Sequence, residues 1–272
     1  MHELSSPTAA FPKAVLRPMV GSTELAVAEA AARPGTRPER VSWVLSAVYE
    51  TIGLKPATLD TVRRLPCGSR EWLLQRAAQH FHSNLTWFEA TCLHCGSPYD
   101  LTLELANAAQ RLPDNDQTAV DVETSLGTRS FLTPNGAHEE AFALHNSEED
   151  PRRVFAALCS QSEQAAQEAQ QFDEHDLALI DATLEAVSPD VADEVGTVCP
   201  SCGSQTDARI DPLLFAFPRE IDILQEAHVI AMAYGWPHDQ IFDLSVRHRS
   251  FFAALIARDH GPARNATGRR RA

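Results

Sequence analysis

Apolar residues recur at helical spacing in two stretches of the first third of the chain. The first stretch covers residues 38–52, with Pro38 at the first helical position and Gly53 after the end. The second stretch begins at Ser69, a residue type that suits an N-cap, and continues to Phe81. These patterns predict two amphipathic helices. The preceding residues 1–37 contain four prolines and no sustained period, which predicts an extended or flexible arm.

The second half of the chain shows the same helical spacing. Its predicted helices are one that opens at Pro151, one over 173–187, one over 219–234, one that begins at Trp236-Pro237, and one capped by Ser245. Within 219–234 the apolar stripe is predicted to contain Ile221, Leu224, Ala227, His228, Ala231 and Tyr234, which makes His228 a core histidine. A further helix with His138, Glu139 and Glu140 is predicted to present an exposed polar face.

Alternation of period two is confined to short segments. Leucines at 101, 103 and 105 predict a strand, and residues 120–125 and 128–133 around Leu126-Gly127 predict a β-hairpin. The fold class expected from these patterns is mainly α with small β elements.

Two segments of the chain are near-copies of each other and contain cysteine pairs. Cys92 and Cys95 lie in the first segment, and Cys199 and Cys202 in the second, each pair followed by Gly and Ser at the same offsets. Four thiolates are the number that a closed tetrahedral zinc site needs. We therefore predict one structural Zn²⁺ held by all four cysteines, in a split zinc-ribbon-like site around which helical bundles are built.

Other interpretations of the cysteines remain open at this point. Two redox dithiols or a disulfide pair fit the spacing, and each pair could hold its own metal. Ordinary zinc ribbons separate their pairs by ~15–20 residues, whereas 103 residues lie between Cys95 and Cys199. Loop closure cost grows only logarithmically with length, so a folded insert is compatible with one shared site. Cys67 and Cys159 are expected to pack as small apolar side chains.

The division expected along the chain has five segments. They are a flexible arm (1–37), a helical segment with the first cysteine pair (38–112), an insert with a hairpin and helices (113–190), the second pair with C-terminal helices (191–258), and a disordered basic tail (259–272).

Charge and composition narrow the expected function. The net charge of −14 makes general nucleic-acid binding unlikely, because phosphate contacts need a basic surface. No apolar run is long enough to cross a membrane, and no secretory leader is recognised, so a cytoplasmic location is expected. The chain contains no nucleophile elbow, P-loop or dinucleotide fingerprint. No enzymatic activity and no small-molecule substrate are therefore expected.

The C-terminal third resembles a known protein family, over about residues 199–256. The segments that carry the resemblance are Cys199-Pro-Ser-Cys202-Gly203, Asp211-Pro-Leu-Leu-Phe215, Arg219-Glu-Ile221, Glu226-Ala-His228-x-x-Ala231-x-x-Tyr234-Gly-Trp236, and Ile241-x-x-Leu244-Ser245-x-Arg247-x-Arg249-x-x-Phe252. This pattern is similar to the T4-type bacteriophage baseplate hub assembly chaperone family, whose relatives occur in contractile injection systems and phage-tail-like particles.

The resemblance implies a non-enzymatic assembly or structural role in the baseplate of a contractile tail, or within a phage-tail-like particle. The implied partners are other baseplate or tail proteins. The alternative hypothesis is a zinc-ribbon nucleic-acid-binding protein of transcription or replication, in which the arginines of the C-terminal tail contact phosphates.

Overall fold

The computed structural model describes residues 10–81, 86–103, 109–113, 117–145 and 148–260. About 51% of the structure is helix and 21% is strand. The prediction of a mainly α protein with small β elements is therefore confirmed.

Twelve helices occur in the described ranges. They are α1 (Gly21–Ala32), α2 (Arg37–Val48), α3 (Leu59–Arg63), α4 (Cys67–Phe81), α5 (Gly136–Ala143), α6 (Pro151–Cys159), α7 (Ala165–Gln171), α8 (Glu174–Val187), α9 (Pro212–Phe215), α10 (Glu220–Tyr234), α11 (His238–Phe242) and α12 (Val246–His260). The helices predicted at 151, 173–187, 219–234 and 245 are thus present. The helix predicted over 38–52 is shorter, because its last four residues form a strand instead.

The strands of the described residues form small antiparallel sheets of two or three strands. They are β1 (Ala14–Leu16), β2 (Tyr49–Ile52), β3 (Lys55–Pro56), β4 (Thr86–Thr91), β5 (Pro98–Leu103), β6 (Gln110–Arg111), β7 (Ala119–Thr124), β8 (Gly127–Leu132), β9 (Asp190–Val191), β10 (Glu194–Val198) and β11 (Gln205–Arg209). The sheet orders are β1-β2-β3, β4-β5, β6-β9, β7-β8 and β10-β11.

The chain forms two compact units. Among the described residues, unit 1 contains those of 10–17 and 30–217, and unit 2 contains those of 18–29 and 218–260. Both cysteine pairs therefore belong to unit 1. The predicted basic tail lies largely outside the described residues, since α12 continues to His260.

The segment expected to be an arm contains β1 and α1. Helix α1 is rich in alanine, and its few larger apolar residues form no clear stripe, so the periodicity is weak. Its buried positions include Val27, Ala28 and the acidic residue Glu24. A sequence argument based on apolar period misses such a helix, because alanine promotes helix formation without marking a face.

The predicted β-hairpin is confirmed and forms one side of a helical core in unit 1. Strand β7 pairs with β8 in register, from Ala119 opposite Leu132 to Thr124 opposite Gly127. Because side chains alternate along a strand, Val120, Val122 and Phe131 face the same side. These three residues pack with buried apolar residues of α6, α7 and α8.

The buried face of α10 differs from the predicted stripe. The buried residues are Ile223, Ala227 and Ile230, and the last two pack with Ile241 of α11. Ile221 is 54% exposed, and His228 is exposed as well. The prediction of His228 as a core histidine is therefore wrong. The helix has apolar residues on several sides, and packing in unit 2 selects one of them.

A buried ion cluster connects three helical segments within unit 2. Arg249 of α12 is 1% exposed at its side chain and forms ion pairs with Glu24 of α1 and Glu226 of α10. Its Nε donates to Glu226 at 2.9 Å. Removal of one partner from such a cluster leaves an uncompensated buried charge. Arg249 is therefore expected to be important for the stability of unit 2.

We expect Arg249→Leu to lower the free energy of unfolding of unit 2 by about 3–5 kcal/mol, because Glu24 would stay buried without its cation. The matched control is Arg64→Leu, which breaks an exposed ion pair with Asp60 and should cost at most about 0.5 kcal/mol. Denaturant unfolding monitored by circular dichroism measures both. Equal effects of the two variants would contradict a stabilising role for the buried cluster.

Candidate metal centre

The four cysteines lie at the tips of two β-hairpins of unit 1. Strands β4 and β5 are joined through residues 92–97, with Thr91 opposite Pro98 in the last pair of the ladder. Strands β10 and β11 are joined through residues 199–204, with Val198 opposite Gln205. Each Cys-x-x-Cys-Gly segment is therefore the turn of its own hairpin.

The first turn is closed by backbone hydrogen bonds. The N–H of Cys92 donates to the carbonyl oxygen of Ser97 at 3.0 Å, and the N–H of Gly96 donates to the carbonyl oxygen of Cys92 at 2.9 Å. Gly96 has φ of 71°, in the left-handed region that disfavours residues with a Cβ. The N–H of His94 also donates to Cys92 Sγ at 3.4 Å.

The second turn repeats this geometry. The N–H of Cys199 donates to the carbonyl oxygen of Ser204 at 3.0 Å, and the N–H of Gly203 donates to that of Cys199 at 2.9 Å. Gly203 has φ of 73°. The sequence similarity of the two segments thus corresponds to the same local backbone structure.

The two turns bring all four sulfur atoms together. Cys92 Sγ lies 3.8 Å from Cys202 Sγ, and Cys95 Sγ lies 3.7 Å from Cys199 Sγ. All four sulfurs lie within 4.8 Å of one another. A tetrahedron of thiolates around a zinc ion with Zn–S bonds of about 2.3 Å has S···S edges of about 3.8 Å. The cluster therefore has dimensions that fit one metal ion shared by both pairs.

Burial and hydrogen bonding differ within each pair. Cys92 and Cys199 are buried, whereas Cys95 and Cys202 are exposed. The hydroxyl and backbone N–H of Ser97 form hydrogen bonds with Cys95 that lower the pKa of its thiol to about 6. The thiolate is the form of cysteine that binds metal, so this environment favours coordination.

The corresponding serine of the second hairpin has the same effect. Hydrogen bonds from the hydroxyl and backbone N–H of Ser204 lower the pKa of the Cys202 thiol. Both duplicated segments have a serine two residues after their second cysteine, but the sequence alone assigned no role to this serine. The structure shows that each serine supports the exposed thiolate of its turn.

Further contacts connect the two hairpins around the sulfur cluster. The backbone N–H of Leu93 donates to Thr206 Oγ1 at 3.2 Å, which joins the first turn to β11. Tyr99 packs in an apolar cluster with Cys92 and Cys199. The hydroxyl of Tyr99 is buried and has no hydrogen-bond partner in the described part of the chain. Neither Tyr99 nor Thr206 was identified from the sequence, because their roles depend on the approach of the second hairpin.

The position of the cysteine pairs in the fold also bears on whether they act as redox dithiols or as metal ligands. A thioredoxin-like dithiol lies at the start of a helix, whereas both pairs here lie in hairpin turns. The close sulfur contacts join cysteines of different hairpins. Both features are typical of a metal site that connects two chain segments.

The remaining cysteines lie apart from this cluster. Among the described residues, the four cysteines of the two turns are the one group of three or more metal-binding side chains close enough to share an ion. Burial raises the pKa of Cys67 well above its ordinary value and raises that of Cys159 to about 12. Both thiols thus remain protonated at neutral pH.

The polar residues of α5 are not an exposed face, in contrast to the prediction. Glu140 is buried and accepts hydrogen bonds from Ser42 Oγ and from Arg63 Nε. Glu139 forms an ion pair with the fully buried Arg70. The two glutamates therefore form ion pairs with arginines of α3 and α4, and these ion pairs connect α5 to both helices.

Comparisons with known proteins give no further information. No protein-family model matches the chain, and neither a curated protein nor a solved structure matches it. Within the ranges given above, no helix has the length and apolar character required to cross a bilayer. The functional argument therefore depends on the residues and geometry of the chain itself.

Proposed function

We propose that the chain is a non-enzymatic assembly or structural protein of the baseplate of a contractile phage tail or contractile injection system, held together by one structural Zn²⁺. The proposal of a structural zinc ion is based on the cluster of four sulfur atoms from two hairpins. Other baseplate or tail proteins are the partners, and the place of action is the cytoplasm or a phage-tail-like particle.

Zinc is the metal that best suits this set of ligands. Cys92, Cys95, Cys199 and Cys202 supply four soft thiolate ligands within 4.8 Å of one another, and such a ligand set favours zinc over harder divalent ions. When bound, the ion supplies binding energy that stabilises the fold. Four protein ligands fill a tetrahedral coordination sphere, and such a closed site offers no position for a catalytic water.

The assembly role is supported by the resemblance of residues 199–256 to the baseplate hub assembly chaperones and by the place of the matching residues. Glu226 and Arg249 belong to the buried ion cluster of unit 2. The rings of Trp236 and Phe252 pack with centroids 5.3 Å apart. The resembling residues thus include packing and ion-pair positions of a helical unit, as expected for a fold signature rather than for catalytic machinery.

The test of the assembly role is genetic and structural. In a cell that carries the gene, its deletion should abolish contractile particles with complete baseplates in electron micrographs, and the wild-type gene should restore them. An affinity-tagged chain should co-purify with baseplate or sheath proteins. Normal particles after deletion would contradict the proposal.

A binding assay separates the proposal from a nucleic-acid role. The purified chain should bind mixed DNA and RNA weakly or not at all, because its net charge is −14. Strong binding that weakens steeply with salt would instead support a zinc-ribbon protein of transcription or replication.

A further inference from the structure

A small cavity in unit 1 lies between β1, β2 and helix α4. It has a volume of about 260 Å³ and is lined by Phe11, Lys13, Ala14, Leu16, Tyr49, Trp72, Arg76 and His80. It shares no residue with the four-cysteine cluster. Its walls contain basic and aromatic side chains and no carboxylate.

Helix α4 contributes three of these residues at regular spacing. Trp72, Arg76 and His80 lie four residues apart, so they form one stripe of the helix surface. The guanidinium carbon of Arg76 lies 4.8 Å from the ring centroid of Trp72. Stacking on an aromatic ring orients a guanidinium and leaves its N–H groups available to a ligand.

The opposite wall is formed by the chain around β1 and by β2. Phe11 packs against Trp72 with ring centroids 5.4 Å apart. The hydroxyl of Tyr49 donates to the carbonyl oxygen of Leu73 at 2.9 Å, so this group is already satisfied. Lys13 adds a second permanent cation at the edge of the cavity. The aromatic rings thus form the walls, and the remaining polar groups are the permanent cations Arg76 and Lys13 and the imidazole of His80, whose pKa is lowered by burial and by the charge of Arg76.

The three basic side chains of this cavity have no carboxylate partner among the residues that the structure describes. In the described residues, no ion pair or side-chain hydrogen bond involves Lys13, Arg76 or His80. The nearest acid along α4, Glu71, is held by two hydrogen bonds from Arg37, at 2.6 and 2.9 Å.

The arrangement is unusual because the chain as a whole is acidic. Its net charge is −14, and the two buried arginines of the described residues, Arg70 and Arg249, are paired with carboxylates. Lys13, Arg76 and His80 are exposed side chains that line the cavity without such a partner. Basic groups that converge on a cavity without carboxylates are a typical anion-binding arrangement.

We propose that this cavity binds a phosphate group, either as inorganic phosphate or as the head of a small phosphomonoester. Arg76 and Lys13 would contact the phosphate oxygens, and His80 would donate a further hydrogen bond. A volume of about 260 Å³ lies below the range of drug-sized ligand pockets, which favours a small ligand. The site is independent of the metal centre and of the proposed assembly role.

The test is calorimetric titration of the full chain, in chloride buffer at constant ionic strength, with inorganic phosphate and with phenyl phosphate. We expect saturable binding of one equivalent per chain. Tighter binding of phenyl phosphate would assign the ligand as an aromatic phosphomonoester, and equal binding would assign phosphate alone. Absence of saturable binding of both probes in the millimolar range would overturn the proposal.

The two lysines of the chain provide a matched pair of variants. Lys13→Gln and Arg76→Gln should each weaken binding about tenfold or more, since each loses a charge-assisted hydrogen bond. Lys55 does not line this cavity; it lines the neighbouring one, which Lys13 borders as well. Lys55→Gln, with the same change of charge, should therefore alter the affinity less than about twofold. Equal weakening by Lys13→Gln and Lys55→Gln would show nonspecific attraction and overturn the site.

A conservative variant separates loss of binding from loss of fold. Arg76→Lys keeps the positive charge and should retain more of the affinity than Arg76→Gln. Circular dichroism should give the same spectrum for both variants and for the wild type. If Arg76→Lys and Arg76→Gln bind phosphate as tightly as the wild type, Arg76 is not a ligand-binding residue.

Discussion

Cys199→Ser is expected to abolish or sharply weaken metal binding. The wild-type chain should bind one equivalent of zinc, because the four sulfurs form a single cluster. The variant loses a buried thiolate, and the three remaining sulfur ligands no longer close the tetrahedron. The zinc content of the purified proteins, measured by inductively coupled plasma mass spectrometry, gives the result directly.

The matched control is Cys67→Ser. Cys67 is a partly buried residue that lies outside the cluster, so this variant should retain one equivalent of zinc. Two equivalents in the wild-type chain would show that each cysteine pair holds its own ion. Unchanged zinc content in Cys199→Ser would contradict the proposed ligand set.

Loss of zinc is expected to loosen the two hairpins and not the whole chain. Removal of the ion leaves four thiol groups at the meeting point of short strands, whereas the helices have apolar cores of their own. Structural zinc contributes on the order of 10–16 kcal/mol in small peptides, and a larger core makes the chain less dependent on it. The affected segments should be 86–103 and 194–209.

Hydrogen exchange with and without a strong chelator measures this local effect. Amide protection should fall in β4, β5, β10 and β11 and persist in α2, α10 and α12. Protection that falls evenly along the chain would contradict local stabilisation. Unchanged protection in the four strands would show that the site has no structural role.

Gly68→Ala is expected to lower the free energy of unfolding by on the order of 3 kcal/mol. A Cβ at Gly68 would clash with the carbonyl oxygen of Pro189 and would lie 2.6 Å from its carbonyl carbon. Both atoms belong to the backbone, so α4 and the segment before β9 must separate. Helix propensity alone would give the opposite sign, a gain of up to about 1 kcal/mol. Denaturant unfolding therefore distinguishes the two effects by sign.

Gly196→Ala is the control for this prediction. The nearest atom to a Cβ at Gly196 is Asp207 Oδ1, at 3.6 Å, which is an ordinary contact. Its backbone conformation lies outside the positive-φ region, so alanine should change stability by less than about 1 kcal/mol. If Gly68→Ala is no more destabilising than Gly196→Ala, the close approach to Pro189 does not constrain the fold.

Local patterns in the sequence correctly predict elements that are stabilised by residues close to each other along the chain. The hairpin of β7 and β8 follows from alternation on both sides of Leu126-Gly127, and α8 follows from the apolar stripe of 173–187. The duplicated Cys-x-x-Cys-Gly segments identify the sulfur cluster, because each copy specifies its own turn through a glycine with positive φ. In each case what the pattern specifies is a local turn, strand pair or helix, because it depends on residues close together in the sequence.

Contacts between segments far apart in the sequence decide the remaining features. The spacing of apolar residues along the chain carries no information about such contacts. Tertiary packing selects Ile223, Ala227 and Ile230 as the buried face of α10. Ion pairs with Arg63 of α3 and with the buried Arg70 of α4 turn the acids of α5 into structural partners. The sequence by itself determined which four thiols are suited to a metal and, apart from α1 and β2, the main helices and the hairpin of β7 and β8, because these depend on local spacing. Only the tertiary structure brought Cys92 within 3.8 Å of Cys202 across an insert of more than a hundred residues, because that approach depends on how the intervening helices pack.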